Sequence, residues 1–210
     1  MLEITRIPCG SGNCFCVENE GNAILIDTCR IEHRDKILAE CRDKNIRLIV
    51  LSHGHVDHIQ NAAALSRELN APIAMHRADY ELIADNMSEP MFAHTLVGKY
   101  VLATTVKSLE RDMIEPFEPV VFLEDGDTLD DFGIEAVIIG LPGHTKGSIG
   151  ILLDKSDLFV GDALMNLVYP AKSHIYGNKE DMKKSAEKIS TFKNATIHFG
   201  HGKSIENKVR

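Results

Sequence analysis

The segment His-Gly-His-Val-Asp-His, at residues 53–58, constrains this chain more than any other feature of its sequence. It places three imidazole rings and one carboxylate within six residues. For a chain of this composition, a match to His-x-His-x-Asp-His arises by chance on the order of once in a thousand cases. Neutral imidazole and carboxylate are ligands that zinc and similar first-row divalent ions prefer, so the segment predicts a metal site.

The spacing within this segment allows one loop to bind two ions. In an extended loop, His53 and His55 lie two residues apart and can point the same way. Asp57 and His58 lie where the chain turns into a helix, so their side chains can reach a second point. The loop therefore predicts a two-metal site.

The surroundings of the segment favour an ordered site over a solvated histidine tract. The preceding residues 47–51 form a predicted buried strand, and 58–69 carry apolar residues at helical spacing. Ligand sites in α/β proteins commonly lie at the carboxyl ends of strands. The alternative, an exposed loop that binds nickel or zinc adventitiously, is disfavoured because further potential ligands follow later predicted strands. These ligands are His144, Asp162 and His201.

Alternation of strand and helix patterns predicts an α/β protein. Residues 77–115 are mostly helical in pattern and contain no concentrated set of metal ligands, so we interpret them as an insert within a single domain that spans 1–210. Predicted strands cover 12–17, 22–27, 47–51, 72–75, 120–123, 134–139, 149–153, 158–160 and 196–199, and predicted helices cover 32–44, 58–69 and 180–192.

Size and charge set further limits. A chain of 210 residues with 44% hydrophobic residues can bury a core of its own. The formal net charge is -8 and basic residues are dispersed, so no bulk attraction to nucleic acid or to an anionic membrane is expected. The sequence has no basic segment followed by an apolar run, and no apolar stretch of the roughly 18 residues that a spanning helix needs. We expect a cytoplasmic protein that acts on a small molecule, with a homodimer as one option.

Five cysteines are confined to the first fifth of the chain, an odd set without metal-type spacing downstream. Reduced thiols are therefore expected. Along a strand, Cys14 and Cys16 would lie on one face. This alternation favours two small core residues over a metal or redox pair.

Five motifs, taken in order, make the chain similar to the metallo-β-lactamase-fold superfamily of metal-dependent hydrolases. Asp27 ends Ile-Leu-Ile-Asp and matches the first motif, and the His-Gly-His-Val-Asp-His segment matches the second. The other three motifs are matched by His144, Asp162 and His201. The resemblance therefore spans residues 27–201.

The resemblance implies an αββα sandwich of two mixed β-sheets between helical layers, with two divalent metal ions in a cleft at one sheet edge. Zinc is the favoured ion, with iron or manganese as alternatives. The implied ligand set is His53, His55 and His144 for one ion, Asp57, His58 and His201 for the other, and Asp162 as the bridge between them.

In the implied mechanism, a hydroxide that bridges the two ions is the nucleophile. Metal coordination lowers the pKa of bound water from about 15.7 towards roughly 7 and polarises the scissile bond. Asp57 would orient the hydroxide and transfer a proton, and Asp27 would support a ligand from outside the metal shell, although a turn-capping role is the alternative for Asp27. The implied reaction is hydrolysis of an ester, thioester, lactone or phosphodiester, with esters and thioesters favoured.

Within the superfamily, the complete ligand set is similar to glyoxalase II and its relatives. The sequence continues for nine residues beyond His201, which is typical of a short form without the C-terminal helical domain of those enzymes. True β-lactamases depart from the ligand set, and lactonases that share it place a tyrosine where this chain has Met165. Two alternatives stay open: a mono-iron oxidoreductase similar to persulfide dioxygenases, and a binding or regulatory domain that keeps metals for structure only.

The residues that select the substrate are not identified by the motifs. They are expected in 77–115 and in the loop 163–178, which flank the ligand-bearing segments. Four residues on such loops are candidates for lining a pocket, although an ordinary loop role is the simpler interpretation: Lys146, Tyr169, Lys172 and His174.

Overall fold

The computed structural model of the protein describes residues 1–93 and 95–207. Two mixed β-sheets form its centre. The six-stranded sheet contains, in spatial order, β1 (Glu3–Cys9), β2 (Gly12–Asn19), β3 (Asn22–Ile26), β4 (Ile46–Val50), β5 (Ile73–Met75) and β6 (Val121–Phe122). The five-stranded sheet contains, in spatial order, β13 (Ile205–Glu206), β12 (Thr196–His198), β9 (Asp157–Phe159), β8 (Ile149–Leu153) and β7 (Ala136–Gly140). A separate ribbon pairs β10 (Leu164–Met165) with β11 (Ala171–Lys172).

Six α-helices accompany these strands in the described part of the chain. They are α1 (Arg34–Cys41), α2 (Val56–Ile59), α3 (Ala62–Leu69), α4 (Glu81–Ala84), α5 (Leu96–Arg111) and α6 (Lys179–Ser190). Short 3-10 helices cover Ile31–His33, Arg77–Asp79 and Asp130–Phe132.

Three buried clusters define the layers. On the outer face of the six-stranded sheet, Ile37 of α1 and Leu65 of α3 pack in one cluster with Leu25 of β3. Ile24, which precedes Leu25 in β3, belongs to a second cluster that lies between the two sheets. On the far side, Ile189 of α6 packs with residues of the five-stranded sheet. The order of layers is helix, sheet, sheet, helix, which confirms the predicted αββα fold.

The strands β3 and β4 are mostly apolar because most of their side chains are buried, and the exceptions are Asn22 at the start of β3 and the exposed Arg47 in β4. Successive side chains of a strand point to opposite faces. In β3, Leu25 therefore faces the helices while Ile24 and Ile26 face the second sheet. A strand covered on both sides requires a continuous apolar run, and the sequence of β3 provides one.

The same edge of each sheet carries the carboxyl ends of several strands. Strands β3, β4, β5 and β6 run parallel to one another. In the second sheet β9 and β12 are parallel, and β7 runs in the same direction because both β7 and β9 are antiparallel to β8. The potential ligands follow these strands in sequence, so strand direction alone collects them at one edge of the sandwich.

Predicted and observed elements differ at one functionally important place. The pattern over 58–69 predicts a single helix, but the structure divides this region into α2 and α3, with a break at Gln60 and Asn61. The side-chain amide of Asn61 is buried and donates to the carbonyl oxygens of Thr28 and Arg30. The helix is interrupted because this side chain ties it to the segment that follows β3.

Other sequence predictions concern the cysteines and the 77–115 segment. Cys14 and Cys16 both lie in the cluster on the outer face of the first sheet, as the alternation predicted, and all five cysteines are buried and free. In the described part of the 77–115 segment, a 3-10 helix is followed by α4 and α5. The assignment of one domain to 1–210 stays a prediction. Among the residues described, no helix is both long and apolar enough to cross a membrane.

Phe159 is expected to be a major source of stability between the sheets. It is 2% exposed, its ring centre lies 5.0 Å from that of Phe15, and it stacks on His198 at 4.4 Å. Phe159→Ala removes these contacts and leaves a cavity, so we expect the free energy of unfolding to fall by roughly 3–5 kcal/mol. Chemical denaturation measures this change. The control Phe92→Ala alters a ring that is 51% exposed and should cost less than about 0.5 kcal/mol. Equal effects of the two variants would contradict the assignment.

Candidate metal centre

Seven side chains converge where the carboxyl ends of the strands of the two sheets meet. Their ligand atoms form three overlapping groups, and within each group the atoms lie within 4.8 Å of one another. The first and third groups coincide with the sets that the family resemblance assigns to the two ions. The groups are His53, His55 and His144; His53, His58 and Asp162; and Asp57, His58 and His201.

The outer nitrogen of several rings is held by a protein group, which turns the other nitrogen inward. His53 Nδ1 lies 3.1 Å from Ser52 Oγ. His144 Nδ1 donates to the carbonyl oxygen of Ile175 at 2.9 Å, and His201 Nδ1 donates to that of Ser11 at 3.0 Å. Such bonds fix the ring orientation and the tautomer, and they direct Nε2 toward the other potential ligands.

Asp162 lies between the two sets of ligands. One of its carboxylate oxygens is 3.5 Å from His58 Nε2, and the other is 3.4 Å from His201 Nε2 and 3.7 Å from His144 Nε2. Asp57 is 3.3 Å from His201 Nε2. A carboxylate that reaches both sets has the position that a bridging ligand requires.

Two buried polar atoms of the cluster have no hydrogen-bond partner within the described residues: His53 Nε2 and Asp162 Oδ1. Buried polar atoms are almost always paired, so two orphans that face one centre indicate a missing partner. Burial lowers the pKa of His53, His55 and His144, that of His55 to about 3, so these rings are neutral and offer lone pairs. Since two inward acceptors and neutral imidazoles suit a divalent cation, the residues fit the implied metals.

The rings near the carboxylates behave differently. Burial acts against protonation of His58, but the charges of Asp27 and Asp162 outweigh it and raise the pKa of His58 to about 10. Burial likewise opposes protonation of His201, whose pKa is raised to about 9 by Asp162 and by its hydrogen bond to Asp57. A cation that binds these rings takes the place of their protons, because a metal ligand must be deprotonated.

Asp27 holds this part of the cluster through a strained backbone. Its φ is 60°, a left-handed value that costs free energy for a residue with a side chain. Its carboxylate accepts hydrogen bonds from the Ser52 backbone N–H at 2.8 Å, from Ser52 Oγ at 2.9 Å and from His58 Nδ1 at 2.8 Å. Three bonds in a buried site offset the strain, and they hold Asp27 against Ser52 and His58. Its role as a support outside the metal shell stays a prediction.

Asp79 is a buried carboxylate of the centre that sequence reasoning missed. It accepts from Gly54 N at 2.8 Å, from Thr145 Oγ1 at 2.7 Å and from Gly147 N at 2.6 Å. Asp79 therefore joins the first histidine loop to the loop that carries His144. The available signal was its place just after the strand β5, at the same sheet edge as the ligands.

Gly200 allows the loop that carries His201 to approach the other ligands. A Cβ atom at this position would lie 2.5 Å from Asp162 Oδ1 and 2.8 Å from His58 Cε1. Both distances are shorter than van der Waals contact, so a side chain would push the ligands apart. The close approach requires glycine here.

A cavity of about 290 Å³ opens on the cluster. The floor of the cavity consists of potential ligands, among them His55, Asp57 and His201. Helix α5 contributes one wall, and the loop after Asp162 contributes another, on which Met165 lies. The two regions in which the sequence analysis expects the substrate-selecting residues, 77–115 and 163–178, therefore both line the cavity.

The four candidate pocket residues have different positions. His174 lines the cavity at the cluster. Tyr169 and Lys172 line an adjoining cleft that also contains His174. Lys146 lines neither; its amine lies 3.6 Å from a carboxylate oxygen of Glu89.

The chain belongs to the metallo-beta-lactamase superfamily, whose family model matches residues 7–201. An uncharacterised protein of Mycobacterium tuberculosis is 29% identical to it, with 96% of this chain and 91% of that protein covered. The hydroxyacylglutathione hydrolase GloC of Haemophilus influenzae is 27% identical, with 78% and 71% covered.

Solved structures of low sequence identity share the fold. A B3 metallo-beta-lactamase superposes with a TM-score of 0.74 at 19% identity, over 98% of this chain and 94% of that one. A protein crystallised in a di-iron-bound form superposes with a TM-score of 0.70 at 21% identity, again over 98% and 94% of the two chains. These superpositions agree with the order of layers described above.

Asp79→Asn is predicted to weaken metal binding without removing a ligand. The amide replaces one acceptor oxygen by an NH2 donor. This donor faces N–H or O–H groups that donate to the Asp79 carboxylate in the unaltered protein. Loss of such support typically lowers metal affinity by about 10- to 100-fold. A chelator competition titration with zinc measures the affinity. The control is Asp127→Asn, which changes an exposed carboxylate that accepts from Glu124 N at 2.8 Å. Equal zinc affinity in the two variants would show that Asp79 does not position the ligands.

Proposed function

We propose that the protein is a metal-dependent hydrolase that binds two divalent ions and cleaves an ester or thioester. The observation that carries this proposal is the pair of orphaned buried atoms, His53 Nε2 and Asp162 Oδ1, at the centre of seven converging ligands. Zinc is the favoured ion, and the di-iron form of a protein with the same fold makes iron the main alternative.

Divalent ions in this centre would supply Lewis acidity, which lowers the pKa of water and polarises the oxygen of the scissile bond. His53, His55 and His144 would hold one ion, and Asp57, His58 and His201 the other, with Asp162 shared between them. The protein contributes rigid placement of these ligands, and the bonds from Asp27 and Asp79 maintain it.

Asp57 is the ligand best placed to act on water in the cavity. Its side chain is 27% exposed whereas that of Asp162 is 6% exposed. Burial opposes its ionisation, but its hydrogen bond to His201 and the charge on neighbouring rings hold the pKa of Asp57 well below its ordinary value. At neutral pH Asp57 is therefore a carboxylate that orients a water molecule by accepting its hydrogen bond.

The preference for esters and thioesters has support from one relative. The Haemophilus influenzae protein is named as a hydrolase of hydroxyacylglutathione, which is a thioester. The cavity volume of about 290 Å³ suits a small molecule. Its wall combines hydroxyl groups such as that of Thr105 with apolar side chains such as Met165 and Leu167, which suits an acyl group beside a polar carbonyl.

His144→Ala and Asp57→Ala test the two-metal assignment. We expect His144→Ala to bind one zinc equivalent fewer than the unaltered protein, and Asp57→Ala to lose at least about a hundred-fold in kcat because the water is no longer oriented. Metal content is measured on untagged protein by mass spectrometry, and turnover on S-lactoylglutathione, an acyl-homoserine lactone, bis-p-nitrophenyl phosphate and a cephalosporin. His33→Ala is the matched control, since His33 lies outside the cluster.

Three outcomes would overturn the proposal. One is retained turnover in Asp57→Ala, and another is full metal content in His144→Ala. The third is one iron per chain with sulfur-dependent oxygen uptake and no hydrolysis of any substrate in the panel, which would instead favour a mono-iron oxidoreductase. Loss of activity on metal removal, with recovery when zinc is returned, is the expected result.

A further inference from the structure

We propose that Arg30 determines substrate specificity, and that the substrate is an ester or thioester with a carboxylate a few bonds from its scissile carbonyl. This inference rests on the proposed hydrolase function and names the class of molecule on which it acts. The substrate carboxylate would accept hydrogen bonds from the Arg30 guanidinium while the scissile carbonyl lies at the ligand cluster.

Arg30 and the cluster share one cavity. The wall of this cavity, whose volume is about 290 Å³, includes Arg30 together with Asp57 and His201. Because a cavity of this size holds one small molecule, an anion at Arg30 and a carbonyl at the cluster belong to the same ligand. The distance between the two groups of the substrate is thus limited to a few bonds.

The backbone of Arg30 is fixed relative to the ligands. Asn61 is completely buried, and its amide donates to the carbonyl oxygen of Arg30 at 2.6 Å and to that of Thr28 at 2.8 Å. Thr28 in turn donates to the carbonyl oxygen of His58 through its N–H at 2.7 Å and through its hydroxyl at 2.8 Å. Such preorganisation is what a binding residue needs, since little ordering remains to be done when the ligand arrives.

Most of the hydrogen-bonding capacity of Arg30 is available. Within the described residues its guanidinium has one hydrogen-bond partner, Asp112, which is bound through Nη1. A guanidinium carries five N–H donors, so donors are left for a ligand. Asp112 also accepts from Arg111 Nε at 2.7 Å and from Ser108 Oγ at 2.7 Å. One carboxylate thus serves two arginines, so it does not occupy all the donors of Arg30.

The planar fork of donors on arginine matches the two oxygens of a carboxylate. Thr105 adds a hydroxyl group to the same wall. A neutral substrate that displaces water from this wall leaves donors of Arg30 without partners, which is unfavourable for a charged group. The cavity therefore discriminates in favour of an anionic substrate even though the chain as a whole carries a net charge of -8.

The test compares matched anionic and neutral esters. One pair carries the charge on the acyl group, 4-nitrophenyl glutarate against 4-nitrophenyl valerate; the other carries it on the leaving group, 4-carboxyphenyl valerate against phenyl valerate. For the zinc-loaded protein we expect kcat/KM to favour the anionic ester in at least one pair. In Arg30→Met that ratio should fall by about 10- to 100-fold, as expected for loss of a hydrogen bond to a charged group. An unchanged ratio, or no preference in either pair, would overturn the proposal.

Asp112→Asn separates binding from a purely structural role. Both Arg30→Met and Asp112→Asn break the ion pair that ties α5 to the segment after β3, but only Arg30→Met removes the donors. We expect Asp112→Asn to keep the preference for the anionic ester. An equal loss in the two variants would assign Arg30 to holding α5. Arg30→Lys keeps the positive charge but lacks the planar set of donors, so its ratio of kcat/KM for the anionic over the neutral ester should be intermediate. This variant provides a second test if Arg30→Met fails to fold.

Equilibrium binding distinguishes failure of this inference from failure of the proposed function. Glutarate, which has no scissile ester bond, is titrated by calorimetry into the protein as purified. We expect Arg30→Met to raise the Kd for glutarate by about 10-fold or more while Asp112→Asn does not. If no ester is hydrolysed but this difference is found, the proposed function fails and the anion site stands. Equal Kd values for the unaltered protein and Arg30→Met would contradict the anion site.

Discussion

The candidate centre depends on hydrogen bonds made by the outer nitrogens of four of its five imidazole rings. A ring whose Nδ1 is bound to a carbonyl, hydroxyl or carboxylate cannot turn without leaving a buried donor unpaired, and its Nε2 therefore stays directed inward. The acceptors are the side chains of Ser52 and Asp27 and the carbonyl oxygens of Ser11 and Ile175. Because these acceptors belong to segments distant in sequence, the geometry of the rings is a property of the whole fold and cannot be produced by the histidine loop alone.

Single buried polar side chains hold the loops of the centre in place. The sheets determine only where each of these loops begins. Asp27 and Asp79 each accept three hydrogen bonds, and Asn61 binds successive carbonyl groups after β3. A buried carboxylate is unfavourable unless it is fully paired, so each of these residues is held in place by the bonds it makes. The same hydrogen-bond network that holds the potential metal ligands also fixes the backbone of Arg30. The position of the proposed substrate carboxylate is therefore set relative to the ligand cluster.

Local patterns in the sequence predict the α/β class and a metal site on the histidine loop, whereas the αββα layers and the full ligand set are what the family resemblance implies. An apolar run such as β3 indicates a buried strand, and a histidine or aspartate just after such a run indicates a site at the sheet edge. Asp79 cannot be found in this way, since its partners lie 25 to 68 residues away and an acidic residue in the first turn of a helix is usually explained by capping. The division between α2 and α3 was missed for a similar reason, because the bonds of Asn61 that interrupt the helix reach across about 30 residues.

Asn13 of β2 connects the first hairpin with the loop that carries His201. Its amide donates to the carbonyl oxygens of Phe199 at 2.8 Å and Gly202 at 2.7 Å, over separations of 186 and 189 residues. Six of the seven potential ligands lie between residues 53 and 162 and are synthesised before the segment that carries His201. The set is therefore complete only after that segment has been translated and has docked against β2.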